Sequence, residues 1–497
     1  MQDHHYAPNS CKTCRQRRVK CDRALPSCHR CASSLLPCSG YERKKKIVWT
    51  NSMASRGKMM GKATFDTIKD NAHDHGNIVV TELCTNFPST KSCLVDPGLQ
   101  EIPRSCREYI RYCESPLGAF SYIHQELSKE CVVYNNSSFN PFLSLMPLMS
   151  FSQALSHIMI SISAFHIAHR LAISQAQLQS DHGAVLRIAL MNKQKALKCL
   201  KLELHIHPEM NSDAVIAAVL LFVNLDVVEF GGRGWKYHLR GAEELIRIRK
   251  GLVKSDSEKW LQYFDTACTT FGILGSTLIP SHSLGGAPIP LDSAFLDTLR
   301  RSEHLAWIGC PAHLLSLLHV MNTLRDVPDH TNISGETVSS ILDGLGSFSP
   351  SFWAKDFPDP RHHESRYHLA YAYKAAVSVY ASHIIEETSS RPSLRPPEAL
   401  RLTELGITHM SQIPASDFHI KSLVWPAFVL GAEVQDLGAR EKVKDIMHNI
   451  WVSSCCYNVR TAVGMLGRIW ERGQDSDKCK RSWLRFIWEQ DESWLFL

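Results

Sequence analysis

Six cysteines lie within CKTCRQRRVKCDRALPSCHRCASSLLPC, positions 11 to 38, at gaps of two, six, six, two and six residues. Thiols placed this densely and this regularly point to metal binding. Cys11-x2-Cys14 and Cys28-x2-Cys31 can each grip a tetrahedral zinc ion from two sides, and each pair is followed six residues later by a further thiol, Cys21 or Cys38. The second half repeats the first at an offset of seventeen residues. Two zinc ions need eight ligand positions. Six cysteines fill them only if two bridge, and the repeat singles out the matching first members, Cys11 and Cys28. One ion would then take Cys11, Cys14, Cys21 and Cys28, and the other Cys28, Cys31, Cys38 and Cys11. A single four-cysteine site would leave two thiols idle in a strict repeat. A RING- or PHD-type finger needs eight ligands in cross-brace spacing, and His29, adjacent to Cys28, is badly placed to serve.

Basic residues crowd the same stretch. Residues 1–46 hold eleven Lys and Arg against three Asp and Glu, giving +8, whereas the other 451 of the 497 residues hold 44 against 46, giving −2. A compact basic module on a near-neutral body calls for a polyanionic partner, nucleic acid before membrane. A short helix after Cys11 would carry Arg15, Arg17, Arg18 and Lys20 on one exposed end. Such a small module has almost no apolar core, so metal binding must supply most of its folding free energy, ~10 kcal/mol or more per site. The rigidity gained suits base readout, since an arginine can pair bidentately with guanine O6 and N7 in the major groove. Arg18 is assigned chiefly to bases and Arg17 to bases or phosphate. Arg15, Lys20 and Arg23 are assigned to phosphates, where they set affinity and salt dependence.

The six cysteines, the basic run RQRRVK and Pro26 in the linking loop together resemble the DNA-binding domain of the fungal Zn(2)-C6 binuclear zinc cluster transcription factors. The resemblance implies two zinc ions, a nuclear location, and contact of Arg17 and Arg18 with a CGG triplet, helped by backbone carbonyls at the helix end. Members more often carry lysine at the second of these positions, and arginine is longer and forked. Members also usually dimerise through a coiled coil soon after the cluster, so that half-site spacing sets specificity. Here the stretch after Cys38 has no sustained heptad seam, and Gly57 and Gly61 weaken any helix. A monomer with extended contacts, or a homodimer through the body, is expected instead. ERKKK contributes Arg43, Lys44, Lys45 and Lys46 as a nuclear import signal and phosphate-tracking arm.

The elements behind the cluster read as helical. The expected organisation is a disordered N-terminus over 1–10, the zinc cluster over 11–40, a basic arm and flexible linker over 41–110, and an all-α regulatory domain over 111–497. A hydrophobic fraction of 44% with 21% charged residues excludes wholesale disorder and supports a large core. Candidate helices cover 150–179, the stretch through Leu186, Leu190, Leu197, Leu200 and Leu204, one beginning at Ser212 or Asp213, and GWKYHLRGAEELIRIRKG with Gly251 as its stop. The leucine series reads as core packing, although Lys193 interrupts it. WPAFVLGAEVQDLGAREKVKDIMHNI and YNVRTAVGMLGRIWER read as an antiparallel helix pair, and no multi-segment strand alternation is visible. WKYHLRGAEELI and WPAFVLGAEVQD add to the resemblance, being similar to segments of the fungus-specific transcription factor domain. The tail WEQDESWLFL is either an acidic-apolar activation segment or a last helix packing its tryptophans inward.

The first residues, MQDHHYAPNS, show no basic region followed by an apolar run. DAVIAAVLLFVNLDVVEF (213–230) is too short for a membrane span and carries Asn224 and Asp226, which fits a buried core helix. Seventeen cysteines without an export signal fit a reducing compartment, where clustered thiols bind metal rather than form disulfides. No catalytic motif emerges. HHESRYH gives H-E-x-x-x-H, one residue too long for a zinc protease, and no G-x-S-x-G occurs. Cys455 and Cys456 are neighbours that would face different directions. The expectation is a zinc-dependent, sequence-specific regulator of RNA polymerase II transcription, not an enzyme. It would bind double-stranded DNA at CGG-containing sites, engage the transcription machinery or co-regulators, and act as a pathway-specific activator. A repressor or zinc-stapled scaffold is the alternative.

Overall fold

A computed structural model describes residues 10–40, 118, 121–135, 140–173, 179–206, 213–232, 234–252, 258–281, 283, 291–303, 308–326, 334–388, 397–472, 482–490 and 492–497. The expected N-terminal segment up to residue 9 and the whole of the expected basic arm and linker at 41–110 lie outside these residues. The chain forms two compact units, Met1–Val95 and Asp96–Leu497.

In the first unit, α1 (Lys12–Gln16) and α2 (His29–Ser33) are each little more than one turn, far too short to persist alone. Their common core is sulfur. Cys11, Cys14, Cys21, Cys28 and Cys31 are buried, with only Val19 and Cys38 packed against them.

In the second unit every regular element among the described residues is helical, and the sole β contact is an isolated bridge between Gly232 and Trp494. α3 (Gln153–Ile173) packs along α4 (Gln179–Ile206), and α5 (Asp213–Glu229) lies against α3 and α6 (Trp235–Leu252). From Ala214 to Glu229 every residue of α5 is buried, as expected of a helix that is apolar on all sides and runs through a core. None of the described helices is long and apolar enough to cross a membrane. α5 also buries Asp226 and Glu229, and Lys193 of α4 reaches across to both, its Nζ bonded to Glu229 and 3.8 Å from Asp226 Oδ1. Lys193 therefore interrupts the leucine series because it neutralises the core helix. The series itself divides: Leu200 is buried and Leu186 and Leu204 pack against the core, whereas Leu190 and Leu197 are exposed.

Gly251 does not stop α6, which continues to Leu252. The stretch expected as one helix from Trp425 breaks into α7 (Val424–Glu433) and α8 (Leu437–Ser454), because the Asp436 carboxylate accepts the Ala439 N–H at 2.8 Å and starts a new N-terminus. α9 (Asn458–Arg472) packs against both. The C-terminal tail turns inward: Trp494, Leu495 and Phe496 are buried, and the Leu495 N–H donates to the Gly231 carbonyl at 2.9 Å. Gly231 is left-handed (φ +71), and a Cβ there would lie 2.4 Å from Asn458 Cβ, so glycine is required where the tail docks.

Candidate metal centre and nucleic-acid interface

Cys11 and Cys28 are the N-caps of α1 and α2. Each Sγ accepts the N–H three residues on, from Cys14 and Cys31 respectively, at 3.3 Å. Capping points each thiol into the gap between the two helices. The sulfurs of Cys11 and Cys28 stand 3.5 Å apart, and Cys11–Cys31, Cys14–Cys28 and Cys14–Cys31 each 3.7 Å. Cys38 lies 4.0 Å from Cys28. Thiolates held at about 2.3 Å around a tetrahedral zinc stand about 3.8 Å from one another, so the spacing fits zinc and is far longer than a disulfide.

The donors group as Cys11, Cys14, Cys21 and Cys28, and as Cys11, Cys28, Cys31 and Cys38, each quartet within 4.8 Å. Cys11 and Cys28 are common to both. Burial pushes the Cys11 thiol up to about 12 and raises Cys14 and Cys28 as well, whereas the Cys28 backbone N–H holds Cys38 down at about 7 and Cys21 is lowered despite its burial, by hydrogen bonds from the Cys11 and Arg23 backbone. The donor set fits two zinc ions. His29 belongs to neither quartet.

The seventeen-residue repeat extends to the backbone. Both helices end in a Schellman turn: Val19 N–H bonds Cys14 O and Arg18 N–H bonds Arg15 O, while Leu36 and Leu35 make the matching bonds to Cys31 and Ala32. The left-handed residue of each turn is Arg18 or Leu35, both at φ 54, and a second left-handed pair follows at Arg23 and Gly40. The halves also pin each other. Asp22 accepts the His29 and Arg30 N–H groups at 2.9 and 3.0 Å at the start of α2, which lowers its carboxyl to about 2. Its counterpart Ser39 bonds Thr13 at 3.0 Å beside α1. Sequence reasoning missed Asp22 and the left-handed positions; Gly40 at the offset from Arg23 was the available clue.

Arg15, Arg17, Arg18, Lys20 and Arg23 all have exposed side chains. At the repeat offset their counterparts are Ala32, Ser34, Leu35, Pro37 and Gly40, none of them charged. The same scaffold is thus built twice, once with the five basic residues and once without.

Residues 9–47 match the fungal Zn(2)-Cys(6) binuclear cluster domain, and residues 120–497 match the fungal-specific transcription factor domain. The chain belongs to the fungal zinc-cluster transcription factors. It carries two zinc ions in its N-terminal module, and its family is one of transcription regulators rather than enzymes. This zinc-cluster factor is 23% identical to the acriflavine sensitivity control protein acr-2 of Neurospora crassa, over 93% of the chain and 92% of that protein. It is 22% identical to the phomenoic acid biosynthesis cluster-specific transcriptional regulator of Leptosphaeria maculans, over 93% and 86%. A 43-residue stretch is 51% identical to the arginine metabolism regulation protein II of Saccharomyces cerevisiae, covering 9% of the chain and 5% of that protein. No solved structure matches the chain.

Proposed function

We propose that this factor reads CGG-type triplets in the major groove and acts in the nucleus on RNA polymerase II promoters as a pathway-specific activator. Cys11, Cys14, Cys21, Cys28, Cys31 and Cys38 hold the two zinc ions, with Cys11 and Cys28 bridging. Arg18 and Arg17 face the bases, and Arg15, Lys20 and Arg23 grip phosphates. The observation that carries this reading is the repeat with unequal chemistry: five basic residues stand on a scaffold whose other copy folds the same way without them. A relative named as a cluster-specific transcriptional regulator supports the pathway-specific part. Arg43, Lys44, Lys45 and Lys46 serve as import signal and trailing phosphate contacts, and the helical body supplies co-regulator contacts and a homodimer interface.

A second reading, as a repressor, is favoured by one observation: the acidic-apolar tail offered as an activation segment is packed into the core through Trp494, Leu495 and Phe496. The test of site choice is selection of duplexes from a random pool with the zinc-loaded full chain. Enrichment of CGG supports the reading, two triplets at fixed spacing indicate the dimer, and no enrichment overturns DNA readout. Fusing the body to a neutral DNA-binding domain and reading a reporter decides between activation and repression.

A further inference from the structure

Far from the cluster in sequence, three side chains from three elements converge inside the helical body. Glu130 ends a short helix (Ser128–Glu130) that follows the π-helical turn Ile123–Leu127, His166 lies on α3, and Cys455 is the C-cap of α8. Their donor atoms all lie within 4.8 Å of one another. His166 Nε2 is 3.3 Å from Glu130 Oε2, and Cys455 Sγ is 3.9 Å from the same oxygen. Donors at about 2.0–2.3 Å from a tetrahedral zinc stand about 3.3–3.8 Å apart, so both separations are close to those of a shared ion.

Each donor is oriented by a second group. Tyr122 Oη lies 2.7 Å from His166 Nδ1 and fixes the ring. Arg170 Nη1 lies 3.2 Å from Glu130 Oε1 and 2.6 Å from Glu126 Oε2, which leaves Glu130 Oε2 to face inward. His169 Nδ1 is 3.0 Å from the Cys455 carbonyl. Outer partners of this kind accompany metal-binding histidines and carboxylates. A further sign is His166 itself: it is wholly buried, and its Nε2 faces the Glu130 carboxylate at 3.3 Å and the Ser454 backbone without a well-aligned hydrogen bond to the carboxylate. A buried ring nitrogen without a well-aligned partner is costly, and a cation between the three donors would satisfy it. π-Helical turns recur at functional sites, and the one here precedes Glu130 directly.

We propose that Glu130, His166 and Cys455 bind one zinc ion within the helical body, a third metal site separate from the N-terminal pair. Arg170 bridges Glu126 and Glu130, and Lys421 donates to the Lys129 and Val132 carbonyls. Vicinal Cys456 reaches another partner, the Ser454 carbonyl at 3.4 Å.

The test is metal content of the full chain, equilibrated with micromolar zinc and then gel-filtered, together with absorption after cobalt(II) is added to zinc-loaded protein whose body site has been stripped with a mild chelator. Wild type is expected to hold three zinc ions and to develop a thiolate–cobalt charge-transfer band. Cys455→Gly is expected to hold two and show no band. Because Cys455 is left-handed at φ 51, glycine suits its backbone, so this variant should keep the helical circular dichroism. His166→Gln should behave alike, while Cys456→Ser should retain three ions. Two ions in wild type with no cobalt band overturns the site, as does loss of the third ion in Cys456→Ser but not in Cys455→Gly.

Discussion

Arg18 combines two roles that a pair of substitutions can separate. Its backbone is left-handed, a conformation that costs a non-glycine residue roughly 1–2 kcal/mol, offset in glycine by about 0.5–1 kcal/mol of extra chain entropy. Arg18→Gly should therefore leave the module as stable as the native one or up to about 1 kcal/mol more so, whereas Arg18→Ala keeps the backbone cost. On DNA the two should fail alike, because both remove the guanidinium. A lost bidentate pair to guanine is worth about 1–3 kcal/mol, or about 5- to 150-fold in affinity for a CGG duplex, with little change for a scrambled one. Leu35→Gly supplies the matched control, since it relieves the same backbone strain at the repeat position without touching a basic residue.

Fluorescence anisotropy of the zinc-loaded full chain on both duplexes, with zinc retention followed by chelator competition, reads the two effects separately. The expected pattern is better zinc retention in both glycine variants and loss of discrimination only at Arg18. Undiminished CGG binding by Arg18→Gly would refute the assignment of Arg18 to bases. Equal losses in Arg18→Gly and Leu35→Gly would show that the turn, not the side chain, carries the effect.

Lys20→Ala should weaken binding to all duplexes alike and reduce the slope of log K against log salt by about 0.9, the signature of one phosphate contact, read by salt titration. Lys193→Met should destabilise the body on the order of 2–4 kcal/mol in urea melts. That is toward the lower part of the cost of breaking a buried ion pair, because Lys193 keeps a quarter of its surface in water while Asp226 and Glu229 keep almost none. Burial raises the Asp226 carboxyl from 3.8 to about 7, so the folded state holds a proton that the unfolded chain releases. Wild type should accordingly lose stability as pH rises from about 4 to 7, and Asp226→Asn should reduce that slope by one group's share, Glu130 and Glu243, also raised by burial to about 7, supplying the rest. Trp494→Ala should cost about 3–5 kcal/mol by emptying a core position, and reporter output should fall only as far as folded protein falls.

The parts of this chain that were legible in its sequence are those in which spacing alone states the chemistry. Cys-x2-Cys doubled at an offset of seventeen foretells the two quartets of thiols that the fold gathers, with Cys11 and Cys28 common to both, because coordination geometry constrains short loops tightly. The apolar run of α5 likewise announced a core helix. What stayed hidden depends on contacts between distant residues or on backbone sign. Asp22 at the start of α2 looks like any surface acid until its carboxylate is seen on the His29 and Arg30 N–H groups. Lys193 looked like a flaw in a leucine seam, and only its partners thirty-three and thirty-six residues away explain it. Glu130, His166 and Cys455 share no spacing at all.

Where function is concerned, the informative comparison is internal. Two halves of one module share capping thiols, Schellman turns and left-handed residues, so what the two copies of the scaffold have in common can be set against what they do not. The cysteines do recur. The basic residues do not: Arg15, Arg17, Arg18, Lys20 and Arg23 face Ala32, Ser34, Leu35, Pro37 and Gly40. Gly40 in particular sits where a left-handed backbone favours glycine, whereas the first half accepts that strain at Arg23 to keep a charge. That one-sided charge is what a polyanion docked against the first half would call for.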